Sequence, residues 1–326
     1  MKLSSKLLTG GLVVGGTVGT LAVVNRLSAL RVGKLDTKLT GEEQRYRWKY
    51  GDIFYQVQGA RDARPLLLIH SFAVGASSYE WRKNADPLAQ QFRIYAIDLL
   101  GFGLSDHPSI DYTAEDFADL ISDFVNEVID KPTIVVAHGL SCAYAIANAY
   151  RRPQFFERLV LVTPPASILQ ETEPDPIRAA LKFVLRTPIL GQFIYEMLAS
   201  HQAIRSRYDR QGYRNPGLIT DELVEYTFIS AHQRNARLPI ASLLGNALTI
   251  EVHEPLAGLQ VPVVAIWGRE APGGTRVPLE ASEAFKRVNP NIDIRMLDNC
   301  GLQPQDEQAS QFNDLVRQFA GAVVKQ

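Results

Sequence analysis

The sequence contains little cysteine and no excess of charge of either sign. Its 326 residues include two cysteines, Cys142 and Cys300, which excludes a disulfide framework; two free thiols are expected, with a single bridge between them as the alternative. The formal net charge is −1 and no basic run is present, so we expect no binding to nucleic acid. Internal repeats and low-complexity linkers are also absent, and neither a cofactor nor a metal is expected.

Charge is missing altogether from the segment Leu7–Val24, which Lys6 precedes and Arg26 follows. As a helix this segment would span about 27 Å, close to the thickness of the hydrocarbon core of a bilayer. Glycine recurs at every fourth residue on one side of such a helix, at Gly11, Gly15 and Gly19. This spacing suits close packing against another transmembrane helix.

We interpret residues 1–25 as an uncleaved, single-pass membrane anchor. The alternatives are a secretory signal peptide that is cut after Ala22, and a merely apolar tail. Positive charges flank both ends of the segment, with a slight excess on the side of the main domain, which favours a cytoplasmic location for that domain. The expected partners are the membrane, through Leu7–Val24, and another transmembrane helix or a membrane protein complex.

An apolar run at residues 134–137 ends in a tight turn, and a helix with a small-residue start is predicted at residues 140–151. This strand–turn–helix arrangement resembles the nucleophile elbow, G-x-S-x-G, of the α/β-hydrolase superfamily. When the two are aligned, Gly139 stands at the position of the nucleophilic serine. Because glycine has no side chain, the resemblance implies a hydrolase site without its nucleophile.

Four further segments resemble the same superfamily in their order and spacing. They are the strand and oxyanion-hole loop Pro65–Phe72, the glycine-kinked loop Tyr95–Asp106, and two later core strands, Arg158–Val162 and Val261–Gly268. With the elbow, these segments extend the resemblance over residues 45–325. The segments Trp81–Asn84 and Asp98–Ser105 resemble cyanobacterial and plant hydrolases that act on hydrophobic esters. The resemblance therefore implies an α/β-hydrolase fold.

The resemblance also locates the two other members of a Ser–Asp–His triad. The acid usually follows the strand that ends in Trp-Gly, and here Ala271 occupies its place. The histidine usually stands in a C-G-H-x-P-x-x-E context, and here Leu302 replaces it. A triad needs an imidazole that takes the proton of the nucleophile and a carboxylate that orients the imidazole. The resemblance implies that all three roles are vacant.

Any residual chemistry would depend on other groups. Backbone amides near Ser71 or Phe72 and at Leu140 are candidates for a surviving oxyanion hole, because such donors need no particular side chain. Ser141 is one alternative nucleophile, and Cys142, near the start of the predicted helix, is the other. For both residues the competing interpretation is a small side chain that is buried between helix and strand.

Two histidines and one acid lie close to the predicted site in the sequence. His138, at the elbow, is interpreted as a hydrogen-bonded structural residue rather than a base. His70 matches a position that braces the oxyanion loop in the superfamily. Glu270 is an alternative acid, but without a histidine in the C-terminal loop it has nothing to orient.

Beyond the anchor, the chain is expected to form one α/β domain with an insertion. Its 46% of hydrophobic residues suffice to bury one large core. Strand and helix patterns alternate after a hairpin at Tyr46–Tyr50 and Ile53–Val57, which predicts a doubly wound, mostly parallel sheet. The predicted domains are the anchor, a connector at 26–44, an α/β-hydrolase core at 45–166 and 255–326, and a helical cap at 167–254.

The predicted cap is rich in large apolar residues, above all between Pro176 and Ser200, where Pro188 and Gly191 interrupt the pattern. One interpretation is that these residues only pack the cap on the core. The other is that some of them line a cavity for a long apolar ligand, or face the membrane or a partner.

Three functions are compatible with these features. The main hypothesis is a membrane-anchored pseudohydrolase, a non-catalytic protein that binds a hydrophobic small molecule or acts as a scaffold. The second is a structural subunit of a membrane complex, in which the anchor helix makes the specific contact. The third is a carboxylic-ester hydrolase of a hydrophobic ester with relocated catalytic residues, since the fold alone does not settle function.

Overall fold

A computed structural model describes residues 33–171, 173–270 and 277–322 of the chain. In these residues one sheet has eight strands in the order β1-β2-β4-β3-β5-β6-β7-β8. The strands are β1 Glu42–Trp48, β2 Gly51–Gln58, β3 Arg64–Ile69, β4 Phe92–Ile97, β5 Thr133–His138, β6 Phe156–Val162, β7 Val263–Gly268 and β8 Asp293–Leu297. The pairs β1–β2 and β2–β4 are antiparallel and the others are parallel. The prediction of a mostly parallel α/β sheet is confirmed.

Helices surround the sheet on both faces. They are α1 Ala85–Ala89, α2 Ala114–Asp123, α3 Ser141–Arg151, α4 Pro176–Arg186, α5 Leu190–Leu198, α6 His201–Arg207, α7 Asp221–Ala231, α8 Arg237–Leu244, α9 His253–Ala257, α10 Val277–Val288, α11 Pro304–Glu307 and α12 Ala309–Gly321. Among the residues that the structure describes, no helix combines the length and the apolar character needed to cross a membrane. The predicted anchor Leu7–Val24 lies outside those residues.

The central strand β3 is buried on both of its faces. Leu66 and Leu68 belong to the hydrophobic cluster on one side of the sheet, whereas Leu67 and Ile69 belong to the cluster on the other side. All four side chains are completely buried. A parallel strand that is covered by helices on both faces needs apolar residues on both, which is why the sequence shows a continuous apolar run here.

The N-terminal hairpin turns two residues earlier than the sequence predicts. Its strands pair Trp48 with Gly51, so that the turn is at Lys49 and Tyr50 rather than at Gly51 and Asp52. The reason is tertiary: a Cβ on Gly51 would lie 2.7 Å from the Cβ of Asp106. The glycine is needed within the strand, where the loop that contains Asp106 packs against it, and not in the turn.

The sequence pattern also predicts a helix at about residues 78–90, and this helix is interrupted in the structure. A 3₁₀ turn at Ser78–Trp81 is separate from α1, and Asn84 is buried between the two. The side-chain amide of Asn84 donates to the carbonyl oxygen of Gln305 and to Oδ1 of Asn313, at 2.9 Å in each case. Since these contacts tie the segment to the C-terminal helices, tertiary packing overrides the local helical pattern.

Helices α4 to α9 form an insertion between β6 and β7, where the sequence predicts the cap. One cluster packs this insertion on the core: Leu35, Tyr79, Ile204, Tyr213, Ile219, Leu223, Val224 and Tyr226. The rings of Tyr79, from the core, and Tyr226, from α7, stack with their centroids 4.0 Å apart. These contacts hold the insertion beside the loop that follows β3. The boundaries of the cap as a domain stay a prediction.

Gly268, the last residue of β7, leaves no room for a side chain. A Cβ there would lie 1.9 Å from the carbonyl oxygen of Gly301 and 2.3 Å from that of Cys300. We expect Gly268→Ala to lower the free energy of unfolding by about 3 kcal/mol, because the backbone of the loop before Leu302 has to move.

Gly321→Ala is the control for this substitution. A Cβ on Gly321 meets nothing within 4 Å, so we expect a change of less than about 0.5 kcal/mol. Urea unfolding followed by circular dichroism measures both variants. Equal unfolding midpoints for the two variants would contradict the close approach of β7 to the loop before Leu302.

Candidate functional site

Gly139 lies on the tight turn between β5 and α3, at the carboxyl edge of the sheet. Its φ of +59° is in the left-handed region, and its amide donates to the carbonyl oxygen of Val162 at 2.9 Å. An added Cβ would contact only the Cβ of Ser71, at 3.4 Å. The turn therefore has the strand–turn–helix form that the sequence predicts, with space for a side chain directed towards Ser71.

A cavity of about 250 Å³ lies between this turn and the helical insertion. Its lining includes Gly139 and Leu302, and also Ser71 and Phe72 from the loop after β3. The insertion contributes residues from two segments, Arg207–Tyr213 and Leu223–Thr227. The structure thus brings four of the predicted site residues to one cavity, whereas Leu140 lines a different hollow. Ala271 lies outside the residues that the structure describes.

A carboxylate that the sequence did not single out, that of Glu80, holds the polar wall of the cavity together. Its Oε1 is 2.7 Å from Nδ1 of His138, and its Oε2 accepts from the hydroxyl of Ser71 at 2.7 Å. The backbone amide of Ser71 donates to the same Oε2 at 3.2 Å. One of the amides predicted for an oxyanion hole is therefore already bound to a carboxylate. In the sequence Glu80 is marked only by its position next to Trp81, which the structure shows to be buried.

Burial alone would raise the pKa of the Glu80 carboxyl. The His138 ring, which attracts the carboxylate and hydrogen-bonds to it, and the hydroxyl of Ser71 outweigh burial and hold that pKa below its ordinary value. The side chains of Glu80 and His138 are only 12% and 5% exposed, so water screens their attraction weakly. Glu80 is consequently an ionised acceptor at neutral pH.

The His138 ring has an acceptor at each of its nitrogens. Nε2 lies 3.2 Å from the carbonyl oxygen of Leu302. Two groups lie near Nδ1: Oε1 of Glu80 at 2.7 Å and the side-chain amide nitrogen of Gln305 at 3.4 Å. A carbonyl and a carboxylate oxygen can only accept, so both ring nitrogens face hydrogen-bond acceptors. His138 is therefore hydrogen-bonded and structural, as interpreted from the sequence, and is paired with a buried charge.

His70 stabilises the neighbouring loop in its neutral form. Its Nδ1 is 2.7 Å from the carbonyl oxygen of Ser71, to which it donates, and its Nε2 accepts from the amide of Leu99 at 3.0 Å. The ring is completely buried. It connects the loop after β3 with the end of β4, in agreement with the bracing role expected from the sequence.

The alternative nucleophiles Ser141 and Cys142 do not line the cavity. Both are completely buried. The hydroxyl of Ser141 donates to the carbonyl oxygen of His70 at 2.6 Å, and the thiol of Cys142 donates to that of Ala137 at 3.1 Å. Burial also raises the pKa of the Cys142 thiol, which disfavours the reactive thiolate. These contacts favour the interpretation of both residues as packing residues.

The alternative acid Glu270 is paired at the surface. Its Oε2 is 2.7 Å from Nε of Arg214, and hydrogen bonding to this guanidinium lowers the pKa of the carboxyl. Across residues 33–171, 173–270 and 277–322, no group of three or more His, Cys, Asp or Glu side chains is arranged to hold a metal ion.

Comparisons with known proteins give a consistent result. The sequence profile of the alpha/beta hydrolase family matches residues 66–315. An uncharacterised protein of Mycobacterium tuberculosis is 25% identical over 81% of this chain and 77% of its own length. A 2-hydroxy-6-oxononadienedioate/2-hydroxy-6-oxononatrienedioate hydrolase of Pseudomonas putida is 24% identical over 90% of this chain and 96% of its own. The structure of a 2-hydroxy-6-oxo-6-phenylhexa-2,4-dienoate hydrolase from Rhodococcus has a TM-score of 0.70 at 18% identity, covering 87% of this chain and 100% of its own, which is a likeness of fold.

The buried pair of Glu80 and His138 should make stability depend on pH. The pKa of Glu80 is lower in the folded chain than its value of about 4.3 when unfolded, so its stabilisation is complete above that pH and is lost as the pH falls through the folded-state pKa. At neutral pH we expect Glu80→Gln to cost about 3 kcal/mol, since the buried His138 ring and the hydroxyl of Ser71 lose their ionised partner. The difference from the native chain should shrink in acid.

Urea unfolding at neutral and at acidic pH measures this effect. Glu283→Gln is the matched control, because Glu283 is exposed on α10 and its loss should change stability by less than about 0.5 kcal/mol. A constant difference between Glu80→Gln and the native chain at every pH would contradict an ionised Glu80 in the folded state.

Proposed function

The chain belongs to the alpha/beta hydrolase family, and from that premise we propose that it binds a small hydrophobic molecule without hydrolysing it. The binding site is the cavity between the core and the helical insertion. The observation that carries this proposal is Gly139, a residue without a side chain on the turn where the family places its nucleophile. Attack on an ester needs an activated hydroxyl or thiol, which glycine cannot supply.

The surroundings of Gly139 support a non-catalytic site. Leu302 contributes an apolar side chain and its carbonyl oxygen, where the resemblance places a histidine, and Ala271 stands where it places the acid. Ser141 and Cys142 are buried and hydrogen-bonded to backbone carbonyl oxygens. The hydroxyl of Ser71 and the imidazole of His138 border the cavity, but both are bound to Glu80, so the described lining has the means to bind but not to activate a hydroxyl.

The lining of the cavity suits a mainly apolar ligand. It includes the large apolar or aromatic side chains of Phe72, Val74, Tyr79, Leu223 and Tyr226. The few charged groups that border it are largely paired with one another, as Glu80 is with His138 and Arg82 with Asp306. Apolar walls supply most of the affinity for such a ligand, and a few polar groups orient it.

The second candidate is a hydrolase with relocated catalytic residues, and one observation favours it. Ser71, Glu80 and His138 place a hydroxyl, a carboxylate and an imidazole in the same cavity. However, the hydroxyl of Ser71 donates to a carboxylate with a lowered pKa, which is a weak base. The nitrogen of His138 that would take the proton faces Leu302 instead. The order of contacts in a triad, from hydroxyl to imidazole to carboxylate, is not reproduced.

We propose further that Leu7–Val24 anchors the chain in a membrane, with the main domain on the cytoplasmic side. The uncharged length of this segment and its glycine spacing support the proposal. The same features support a role as a structural subunit that contacts another transmembrane helix. Extraction in mild detergent separates these roles, because a subunit migrates with its complex and a binding protein migrates alone.

A fluorophosphonate probe tests whether the site is catalytic. We expect no labelling of any serine in the full chain, because no base is placed to activate a hydroxyl. Gly139→Ser alone should also stay unlabelled, whereas Gly139→Ser with Ala271→Asp and Leu302→His should gain weak labelling, since triad members act as a unit. Stoichiometric labelling of the native chain that Ser71→Ala abolishes would contradict the proposal and establish the relocated hydrolase.

Filling the cavity tests the binding proposal. Ala76 lines the cavity, and we expect Ala76→Phe to raise the Kd for the apolar dye anilinonaphthalene sulfonate at least about tenfold, or 1.4 kcal/mol. Ala60→Phe adds the same ring at an exposed residue between β2 and β3 and should leave the Kd unchanged. Fluorescence titration measures both. Equal affinities of the two variants would show that the dye binds elsewhere and count against this cavity.

A further inference from the structure

Helix α4 turns Leu185 and two of its three charged side chains towards the protein, and it leaves other apolar side chains in solvent. Lys182 and Arg186 are partly buried, and both contact Oδ1 of Asp111, at 2.7 Å and 3.4 Å. In contrast, Ile177 is 78% exposed and Phe183 is 73% exposed. A surface helix normally directs its apolar stripe into the core. The opposite orientation indicates that this side of α4 meets something other than water.

Helix α5 adds exposed apolar side chains next to α4. The two helices meet so closely that a Cβ on Gly191 would lie 2.3 Å from the carbonyl oxygen of Leu185. Leu190 and Met197, which are seven residues apart and so on one side of α5, are 47% and 61% exposed. We call the exposed set the apolar face, and it consists of Ile177, Leu181, Phe183, Leu190, Met197 and Leu198.

Gly33, the first residue that the structure describes, lies against the helical insertion to which α4 and α5 belong. A Cβ on Gly33 would lie 3.5 Å from Cδ1 of Ile229 in α7. Helix α7 is joined to α5 by the hydrogen bond from the hydroxyl of Tyr195 to the carbonyl oxygen of Ala231, at 2.8 Å. The residues between Val24 and Gly33 span at most about 30 Å when fully extended. A membrane-embedded Leu7–Val24 would thus keep the insertion close to the bilayer.

We propose that the apolar face of α4 and α5 lies on the bilayer surface beside the anchor. This inference rests on the proposed anchoring by Leu7–Val24. Helix α4 has three basic residues and no acidic one within its bounds, Arg178, Lys182 and Arg186. All three are paired with acids, Lys182 and Arg186 with Asp111 and Arg178 with Asp175, so they leave little unpaired charge against the lipid. The exposed Ile and Phe side chains are what suits the membrane interface, where an apolar side enters about 5–10 Å below the headgroups.

Fluorescence quenching by brominated lipid tests this contact in the full chain. The native Cys142 and Cys300 are completely buried, so a cysteine introduced at the surface is the one that a bimane dye labels. Phe183→Cys and Met197→Cys place the dye on the apolar face. The control Tyr150→Cys places it on a 44% exposed residue at the end of α3, at the opposite edge of the sheet from the turn at Gly139.

The chain is reconstituted in vesicles of phosphatidylcholine and phosphatidylglycerol, with or without bromine on the acyl chains of the phosphatidylcholine. We expect brominated vesicles to reduce the emission of the dye at positions 183 and 197, and to leave that at position 150 unchanged. Unchanged emission at 183 and 197 overturns the proposal. If the dye there is also protected from iodide in the water, protein covers the apolar face, from Leu7–Val24 or from a second copy of the chain.

Alkaline extraction of the same vesicles separates this proposal from the anchor on which it rests. A chain with an embedded helix resists extraction, whereas a chain bound only at the surface is released. Quenching at 183 and 197 in a chain that is released supports the surface contact and contradicts the anchor. Resistance to extraction without quenching supports the anchor and overturns the surface contact.

Discussion

The buried, hydrogen-bonded pair of Glu80 and His138 is the constraint on which the geometry of the cavity depends. It joins three segments that are distant in the sequence: the helical turn after the β3 loop, the end of β5, and the C-terminal loop through the carbonyl oxygen of Leu302. Ser71 adds the β3 loop to the same carboxylate. Isolated charges would be costly at this depth, so each group is stable here only because its partners satisfy it.

This arrangement separates the shape of the site from its chemistry. The turn at Gly139 is held by backbone contacts, such as its amide to Val162, which do not depend on the side chain at that position. Catalysis depends on side chains, and here both nitrogens of His138 and both oxygens of Glu80 are occupied in structural bonds. A family fold can therefore keep the shape of a cavity independently of the side chains that line it.

The sequence predicted those features that local patterns determine. Continuous apolar strands such as β3 indicated the parallel sheet, and the turn at Gly139 followed from an apolar run next to small residues. The role of Glu80 could not be predicted, because its partner His138 is 58 residues away and no local pattern records such a pair. The shifted hairpin has a similar cause, since the contact of Gly51 with Asp106 arises only in the folded chain.

The orientation of α4 shows how a charged residue that is distant in the sequence can influence which side of a helix is exposed to solvent. Asp111, from the loop before α2, accepts both Lys182 and Arg186, and this contact turns their side of the helix inwards. Ile177 and Phe183 are left outside, and burying each would stabilise the chain by about 1.5–3 kcal/mol. Such pairs contribute only about 0–1 kcal/mol at a surface. Burial of Leu185 on the inward side offsets part of this loss, and a nonaqueous surface over the outward side, as proposed above, would offset the rest.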